Sequence, residues 1–367
     1  MTTSASQRPL SAIVLAAGEG SRMKSERPKP LHRLCGKPML MYVLESLSGC
    51  GVERAAIVVG HKADWVTKKI GEERVPVPVE FVEQRVQRGT GDAALIGLIG
   101  LPDDPDEGDV LVLPGDAPLL RAETISHLVA SHRSTDVAAT VLTAVVEDPS
   151  GYGRVVRGRD GRVTRIVEHG DATPEELEIT EFNTSIYCFK RSLLAPALRR
   201  LEPDNAQGEY YLTDVVAVLA AAGHAVGSVV APSAVEASGV NDRMQLAAAE
   251  AELRRRTNES LLRSGVTMLD PANTYVDTTV VVGRDVTLFP GTILQGSTEI
   301  GDGTEIGPNT RLVDCTVGAG CSIDSSTGHR AVVEDGAIVG PFAHLAEGST
   351  IPADYRTGPF YNSASDT

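Results

Sequence analysis

Ser11-Ala12-Ile13-Val14-Leu15-Ala16-Ala17-Gly18-Glu19-Gly20-Ser21-Arg22-Met23 reads as a strand that empties into a loop. The apolar run is too short to span a membrane and ends abruptly in small residues, the pattern of a buried strand reaching the edge of a sheet. Gly18 and Gly20 free the backbone to take unusual dihedrals and to bring N–H groups close to a ligand, and Arg22 sets a cation beside them. Such a loop suits a phosphate chain. Neither familiar phosphate motif fits it, because the third glycine of G-x-G-x-x-G falls on Met23 and no Gly-Lys-Ser/Thr follows.

Outward from this stretch, apolar β-branched runs alternate with amphipathic ones as far as about residue 230. Strands are expected at Ala12–Leu15, Arg54–Val59, Val79–Val82, Val110–Leu113, Val137–Val145, Val163–Glu168, Ile186–Phe189 and Ala225–Val230. Helices are expected at Met39–Leu47, Lys62–Ile70, Gly91–Ile99, Ala122–Ser131, Lys190–Leu201 and Leu212–Ala222. The alternation implies an α/β fold with a doubly wound, mostly parallel sheet, to which Val137–Val145 and Val163–Glu168 would add an antiparallel flap. Ligands in such sheets bind at the carboxyl ends of strands, so the loops after Leu15 and Leu113 are expected to face one crevice.

After a run of strong helix formers from Arg243 to about Ser264, the period changes. Val276, Val282, Leu288, Leu294, Ile300, Ile306 and Leu312 lie six residues apart, and after slips the spacing returns at Val317 and Ile323, then at Val333, Val339, Leu345 and Ile351. One inward aliphatic per six residues, with glycines between, marks a hexapeptide β-helix. The solenoid is expected to close near Ile351-Pro352, leaving a polar, flexible tail.

The formal charge of −15 repels polyanions, so nucleic acid and anionic membranes are not expected partners, and a phosphate site has to be locally basic or metal-assisted. Five cysteines without a C-x-x-C argue for a reducing compartment, and with no signal or membrane-length segment a cytoplasmic location is expected. The eight histidines show no metal-ligand spacing.

Four further segments carry groups that a nucleotide reaction needs. Lys29 is a cation held between Pro28 and Pro30. Gln84 precedes the glycine-rich turn Gly89-Thr90-Gly91 at a helix start. Asp116, in Gly115-Asp116-Ala117-Pro118 after an apolar strand, is a hard carboxylate suited to a metal; alone it would more simply be a turn residue.

With Gly151-Tyr152-Gly153-Arg154, Ile166-Val167-Glu168, Asn183-Thr184, the run Asn205–Asp214 and Gly239-Val240-Asn241, these motifs follow one another as in the sugar-phosphate nucleotidyltransferases. The chain most resembles the bacterial bifunctional N-acetylglucosamine-1-phosphate uridyltransferase/glucosamine-1-phosphate acetyltransferases. The resemblance implies a Rossmann-like nucleotidyltransferase domain at residues 1–242, a linker helix at 243–264, a short left-handed β-helix at 265–352 and a flexible tail at 353–367. It also implies that Leu15, Ala16, Ala17, Gly18 and Thr90 meet the nucleotide and that Gln84 and Gly89 read its base. Arg22 and Lys29 would act on the triphosphate, Asp116 and Asn241 would hold Mg²⁺, and Gly153, Glu168 and Asn183 would hold the sugar.

The implied reaction joins an NTP and a sugar 1-phosphate into an NDP-sugar and pyrophosphate, with UTP and N-acetylglucosamine 1-phosphate as the expected pair. Related solenoids pack as homo-oligomers, so a trimer through the β-helix is expected. Acetyl transfer is not expected, because His344 and Ala346 replace arginines of the family's Gly-Pro-Phe block and the later acetyltransferase residues have no counterpart. Asp92, Pro114 and Ser185 stand where the family usually has histidine, a hydroxyl-bearing residue and glycine. These departures leave open a specialised paralogue that uses GTP or ATP and another acceptor, such as the cyclitol phosphate valienol 1-phosphate. A hexapeptide acyltransferase and a non-catalytic nucleotide-sugar sensor are the weaker alternatives.

Overall fold

The computed structural model describes residues 8–102 and 108–365. Two compact units emerge, one formed by the chain up to His32 with Pro38–Gln245, the other by Arg33–Lys37 and the chain from Leu246 onward. Among the described residues, no helix is long and apolar enough to cross a membrane.

In the first unit the strands are β1 (Leu10–Ala16), β2 (Arg54–Val59), β3 (Val79–Glu83), β4 (Asp109–Pro114), β5 (Ala139–Val145), β6 (Arg154–Arg157), β7 (Val163–Val167), β8 (Glu181–Lys190) and β9 (Val226–Val230). They assemble in the order β9-β5-β8-β4-β1-β2-β3. All of these neighbours are parallel except β8, which runs antiparallel to both β4 and β5. The strands read as continuous apolar runs because both sheet faces are covered. Ala12 and Val14 enter one core with Leu40, Leu44 and Leu128, while Ile13 enters the other with Ala94, Leu98 and Val215.

The expected flap requires a correction. Val137–Val145 does not belong to it: β5 is an interior strand of the main sheet, and the hairpin that extends from β8 is β6 with β7. Alternation within a strand reports which face is buried, not which neighbour it pairs with. The strand expected at Ile186–Phe189 begins earlier, at Glu181, and is interrupted by a bulge between Asn183 and Ile186.

In the second unit, which takes in the helix Arg243–Arg263 from Leu246 onward, short parallel strands follow in three five-stranded sheets, consistent with a left-handed β-helix. Leu288, Ile306, Ile323 and Val339 stack in one sheet; Val276, Leu294, Leu312 and Leu345 share another; Val282, Ile300, Val317, Val333 and Ile351 share the third. The gap in the aliphatic series is filled by Gly328, which pairs with Leu312 on one side and Leu345 on the other. A Cβ added there would come within 3.0 Å of Leu312 Cδ2, so the neighbouring coils already occupy the space.

From Leu294 to Leu345 a small buried residue sits two positions before each inward position. Thr292, Thr298, Thr304 and Thr310 give way in the next coil to Cys315, Cys321 and Ser326 and then to Ala331, Ala337 and Ala343. Thr304 Oγ1 donates to the Gly318 carbonyl at 2.8 Å and accepts from the Cys321 N–H at 3.0 Å, so the hydroxyl rung ties one coil to the next. The expected end at Ile351 is also corrected. The path continues through Arg356, bridged to Ile338, and Asn362, bridged to His344, with Tyr361 packed on the solenoid core. Backbone hydrogen bonds hold this segment where a polar composition suggested a free tail. Asp366 and Thr367 lie outside the described residues.

Candidate active site

The carboxyl ends of β1 and β4 are adjacent, with Leu15 in register with Pro114 and the Gly115 N–H donating to the Leu15 carbonyl at 2.8 Å. The chain leaving β1 passes close over Gly60, where a Cβ would lie 2.6 Å from the Ala17 carbonyl oxygen. Beyond it Gly20 takes a φ of 66°, and a Cβ there would sit 2.8 Å from Lys29 Cβ. Glycine is therefore required twice to lay this loop against its neighbours and to set the lysine.

A cavity of about 300 Å³ opens at these strand ends. Leu15, Ala16, Ala17, Gly18, Gln84, Gly89 and Thr90 all line it, as do Lys29 and Asp116. The Thr90 hydroxyl accepts from the Leu212 N–H at 3.0 Å and so fastens the wall.

At the mouth the charged groups converge. The Lys29 ammonium bonds Asp116 Oδ2 and lies 2.8 Å from Asn241 Oδ1, which also accepts from Arg22 Nη2 at 3.0 Å. The Asp116 carbonyl receives the Val240 N–H at 2.8 Å, and Gly239 leaves no room for a side chain beside Asp116. Residues separated by more than two hundred positions are thereby locked to one point. Arg22 stands exposed at this rim and is not part of the cavity lining.

A second cavity, of about 270 Å³, shares Leu15, Thr90, Ser185 and Glu209 with the first and adds Glu168, Tyr187, Tyr211, Leu212 and Thr213. Burial raises the Glu168 carboxyl above its ordinary range, opposed by the Thr213 hydroxyl, which donates to Oε1 at 3.0 Å, and assisted by Asp214 and Asp171. Burial likewise raises Asp214, and Tyr211 is pushed up to about 12.

Gly153 and Asn183 do not line either cavity. Gly153 sits behind Glu168, where an added Cβ would lie 3.3 Å from Glu168 Oε2, and its carbonyl accepts from the Asn183 N–H. The Asn183 side chain is 3% exposed and bonds the Tyr187 hydroxyl and the Ser185 N–H, holding the β8 bulge. That bulge delivers Ser185, at a left-handed φ of 62°, to both cavities. Gln87, Glu209, Tyr211 and Thr213 line the site without having been read as site residues, and Tyr211 reads from the sequence as a packing residue. Isolated polar residues on loops carry no periodic signal, and only their place within the Asn205–Asp214 motif pointed towards three of them.

Residues 11–234 match the family model described as Nucleotidyl transferase. The chain belongs to the nucleotidyl transferase family. Within it the chain is GlmU-like: it is 44% identical over 349 residues to the bifunctional protein GlmU of Halalkalibacterium halodurans, covering 95% of this chain and 75% of that protein. It is 45% identical to bifunctional protein GlmU of Streptomyces avermitilis, covering 96% of this chain and 73% of that one. With bifunctional protein GlmU of Mycolicibacterium vanbaalenii the identity is 44%, with 98% and 73% covered. A solved UDP-glucose pyrophosphorylase complexed with UDP-glucose shares the fold, with a TM-score of 0.54, 17% identity and coverage of 68% of this chain and all of that one. As a nucleotidyl transferase of this family, the chain is an enzyme acting on an NTP and a sugar 1-phosphate.

Proposed function

We propose that the chain couples UTP to N-acetylglucosamine 1-phosphate, giving UDP-N-acetylglucosamine and pyrophosphate. The observation that carries this reading is the convergence of Lys29, Asp116, Asn241 and Arg22 at the rim of the cavity formed by the loops after β1 and β4. The sugar 1-phosphate is already an anionic nucleophile, so no general base or covalent serine is needed. Its phosphate oxygen attacks the α-phosphorus; the bond to the bridging oxygen breaks and the electron pair leaves with pyrophosphate. Arg22 and Lys29 stabilise the charge that builds there, and the cavity walls hold the reactants in line. Gln84 and Gly89 read the base, and Glu168 accepts from sugar hydroxyls, with Gly153 and Asn183 behind it.

Asp116 and Asn241 fit Mg²⁺, because a carboxylate and an amide oxygen aim at a single point now filled by an ammonium group. Hard oxygen donors, completed by phosphate oxygens and water, are the set that ion takes. When bound, Mg²⁺ would neutralise phosphate oxygens. The reading also includes a solenoid without acetyl transfer, supported by His344 and Ala346 in the Gly-Pro-Phe block, and assembly as a trimer.

The test is pyrophosphate release over a matrix of NTPs and sugar or cyclitol 1-phosphates, with Mg²⁺ and with EDTA. Turnover is expected to be highest with UTP and N-acetylglucosamine 1-phosphate and to vanish in EDTA. A preference for another acceptor would replace the substrate assignment, and EDTA-insensitive activity would remove the metal role.

A further inference from the structure

Gln84 lines the nucleotide cavity, is almost wholly buried at 4% exposed, and has its amide nitrogen fully engaged. Nε2 donates to the Gly89 carbonyl at 3.2 Å and to Asp92 Oδ2 at 2.7 Å. A carboxylate and a peptide carbonyl only accept hydrogen bonds, so both partners hold the amide with its NH₂ towards them, the Asp92 bond being the shorter of the two. Its carbonyl oxygen receives no hydrogen bond among the described residues, nor is it among their sealed, unpartnered atoms. The cavity is therefore offered an acceptor and no donor by this side chain. Asp92 itself sits in the first turn of the helix Thr90–Ile99, where the unpaired N–H groups favour an anion, so the lock is stable in place.

We propose that Asp92 is a positioning residue that sets the base preference of the site by fixing the Gln84 amide with its oxygen towards the nucleotide. This rests on the reading of Gln84 as the base-contacting residue. Uracil and guanine present a ring N–H that donates to that oxygen. Cytosine and adenine present a bare ring nitrogen at the corresponding edge, and two acceptors would face one another there. A glutamine held only by the longer Gly89 bond would rotate its amide and accommodate either pattern; one tied to a carboxylate as well does not.

Calorimetric titration of the protein with UTP, CTP, GTP and ATP, each with Mg²⁺ and without acceptor, tests the proposal. Wild type is expected to bind UTP at least about tenfold more tightly than CTP, the scale of one hydrogen bond exchanged for an unpaired buried acceptor. In Asp92→Ala the ratio falls to within about threefold, chiefly through tighter CTP binding, because the amide, left with only the 3.2 Å Gly89 contact, turns its NH₂ to the cytosine ring nitrogen. Asp92→Ser, whose hydroxyl is too short for the contact, behaves the same way and keeps a helix-compatible side chain. Asp92→Asn also lowers the ratio, because its amide donates as well as accepts and lets the two amides turn together. An unchanged UTP to CTP ratio in the folded Asp92→Ala and Asp92→Ser proteins overturns the role of Asp92. Gln84→Ala separates the two levels: if it too leaves the ratio unchanged, or if wild type shows no preference, the base-reading role of Gln84 fails along with the proposal.

Discussion

Replacing Lys29 by methionine probes the centre of the site, because one ammonium group there touches both expected metal ligands. The side chains of Lys29 and Asp116 are 13% and 23% exposed, so their attraction is only partly screened by water. A charge-assisted hydrogen bond in that setting contributes about 1.5–3 kcal/mol, and its loss leaves Asp116 without its ammonium partner. Lys29→Met is therefore expected to destabilise the nucleotide-free protein by about 2 kcal/mol in urea unfolding. Loss of a group that stabilises developing charge lowers kcat by about 10²–10³-fold.

A third consequence is opposite in sign. The ammonium group competes for Asp116 and Asn241, so Mn²⁺, followed by electron paramagnetic resonance without nucleotide, binds Lys29→Met more tightly than wild type. Titration of both proteins with Mn²⁺, alongside pyrophosphate-release kinetics, reads all the effects. A variant with kcat within tenfold of wild type, or with weaker Mn²⁺ binding, would refute the idea that the lysine both holds the metal position and serves the transition state.

Other perturbations address the remaining features. Asp116→Asn keeps the shape and removes the charge; kcat is expected to fall by about 10²-fold or more with the circular dichroism spectrum unchanged, and near-normal turnover would discard Asp116 as a ligand. Ser185→Gly relieves a left-handed backbone and is expected to raise stability by about 1 kcal/mol while changing the KM of the acceptor more than that of UTP; a destabilised variant would contradict the strain argument. Burial holds His132 below its usual 6.5 against the pull of Asp109. The unfolded chain then takes up this proton first as pH falls, so stability declines below about 6.5, and His132→Gln flattens the slope if urea midpoints at pH 7.5 and 5.5 are compared. Glu168 accepts from a hydroxyl more strongly when ionised, so kcat/KM for the acceptor is expected to show an acid limb above its ordinary 4.5, absent in Glu168→Gln.

Strand positions were legible wherever burial on both faces made a continuous apolar run, as at Arg54–Val59, whose observed limits coincide with those expected. Pairing was less legible: nothing local to Val137–Val145 says that its neighbours are β8 and β9, because topology is decided by partners far along the chain. The solenoid register was visible through its aliphatics and vanished at Gly328, where the inward position carries no side chain to be recognised. In the site, the glycine loop, Lys29 and Asp116 stood out by residue type and flanking prolines. Asn241 entered only through the order of family motifs, since an asparagine after Gly-Val has no chemistry visible by itself. Ser185 was noted as a departure; that it stands at a left-handed bulge shared by two cavities belongs to three-dimensional structure alone.

Gly328 also bears on how the two units can change over evolutionary time. The coil steps around it are shorter than six residues, yet Leu312 and Leu345 remain stacked on either side of it. Each rung answers only to the coils above and below, so a lost residue at a corner is absorbed locally. In the nine-stranded sheet a one-residue slip would turn every side chain to the opposite face and pull Leu15 out of register with Pro114. Insertions and deletions are thus tolerated in the solenoid at little cost, whereas the sheet beneath the cavity at the ends of β1 and β4 is held to a fixed length by its own geometry.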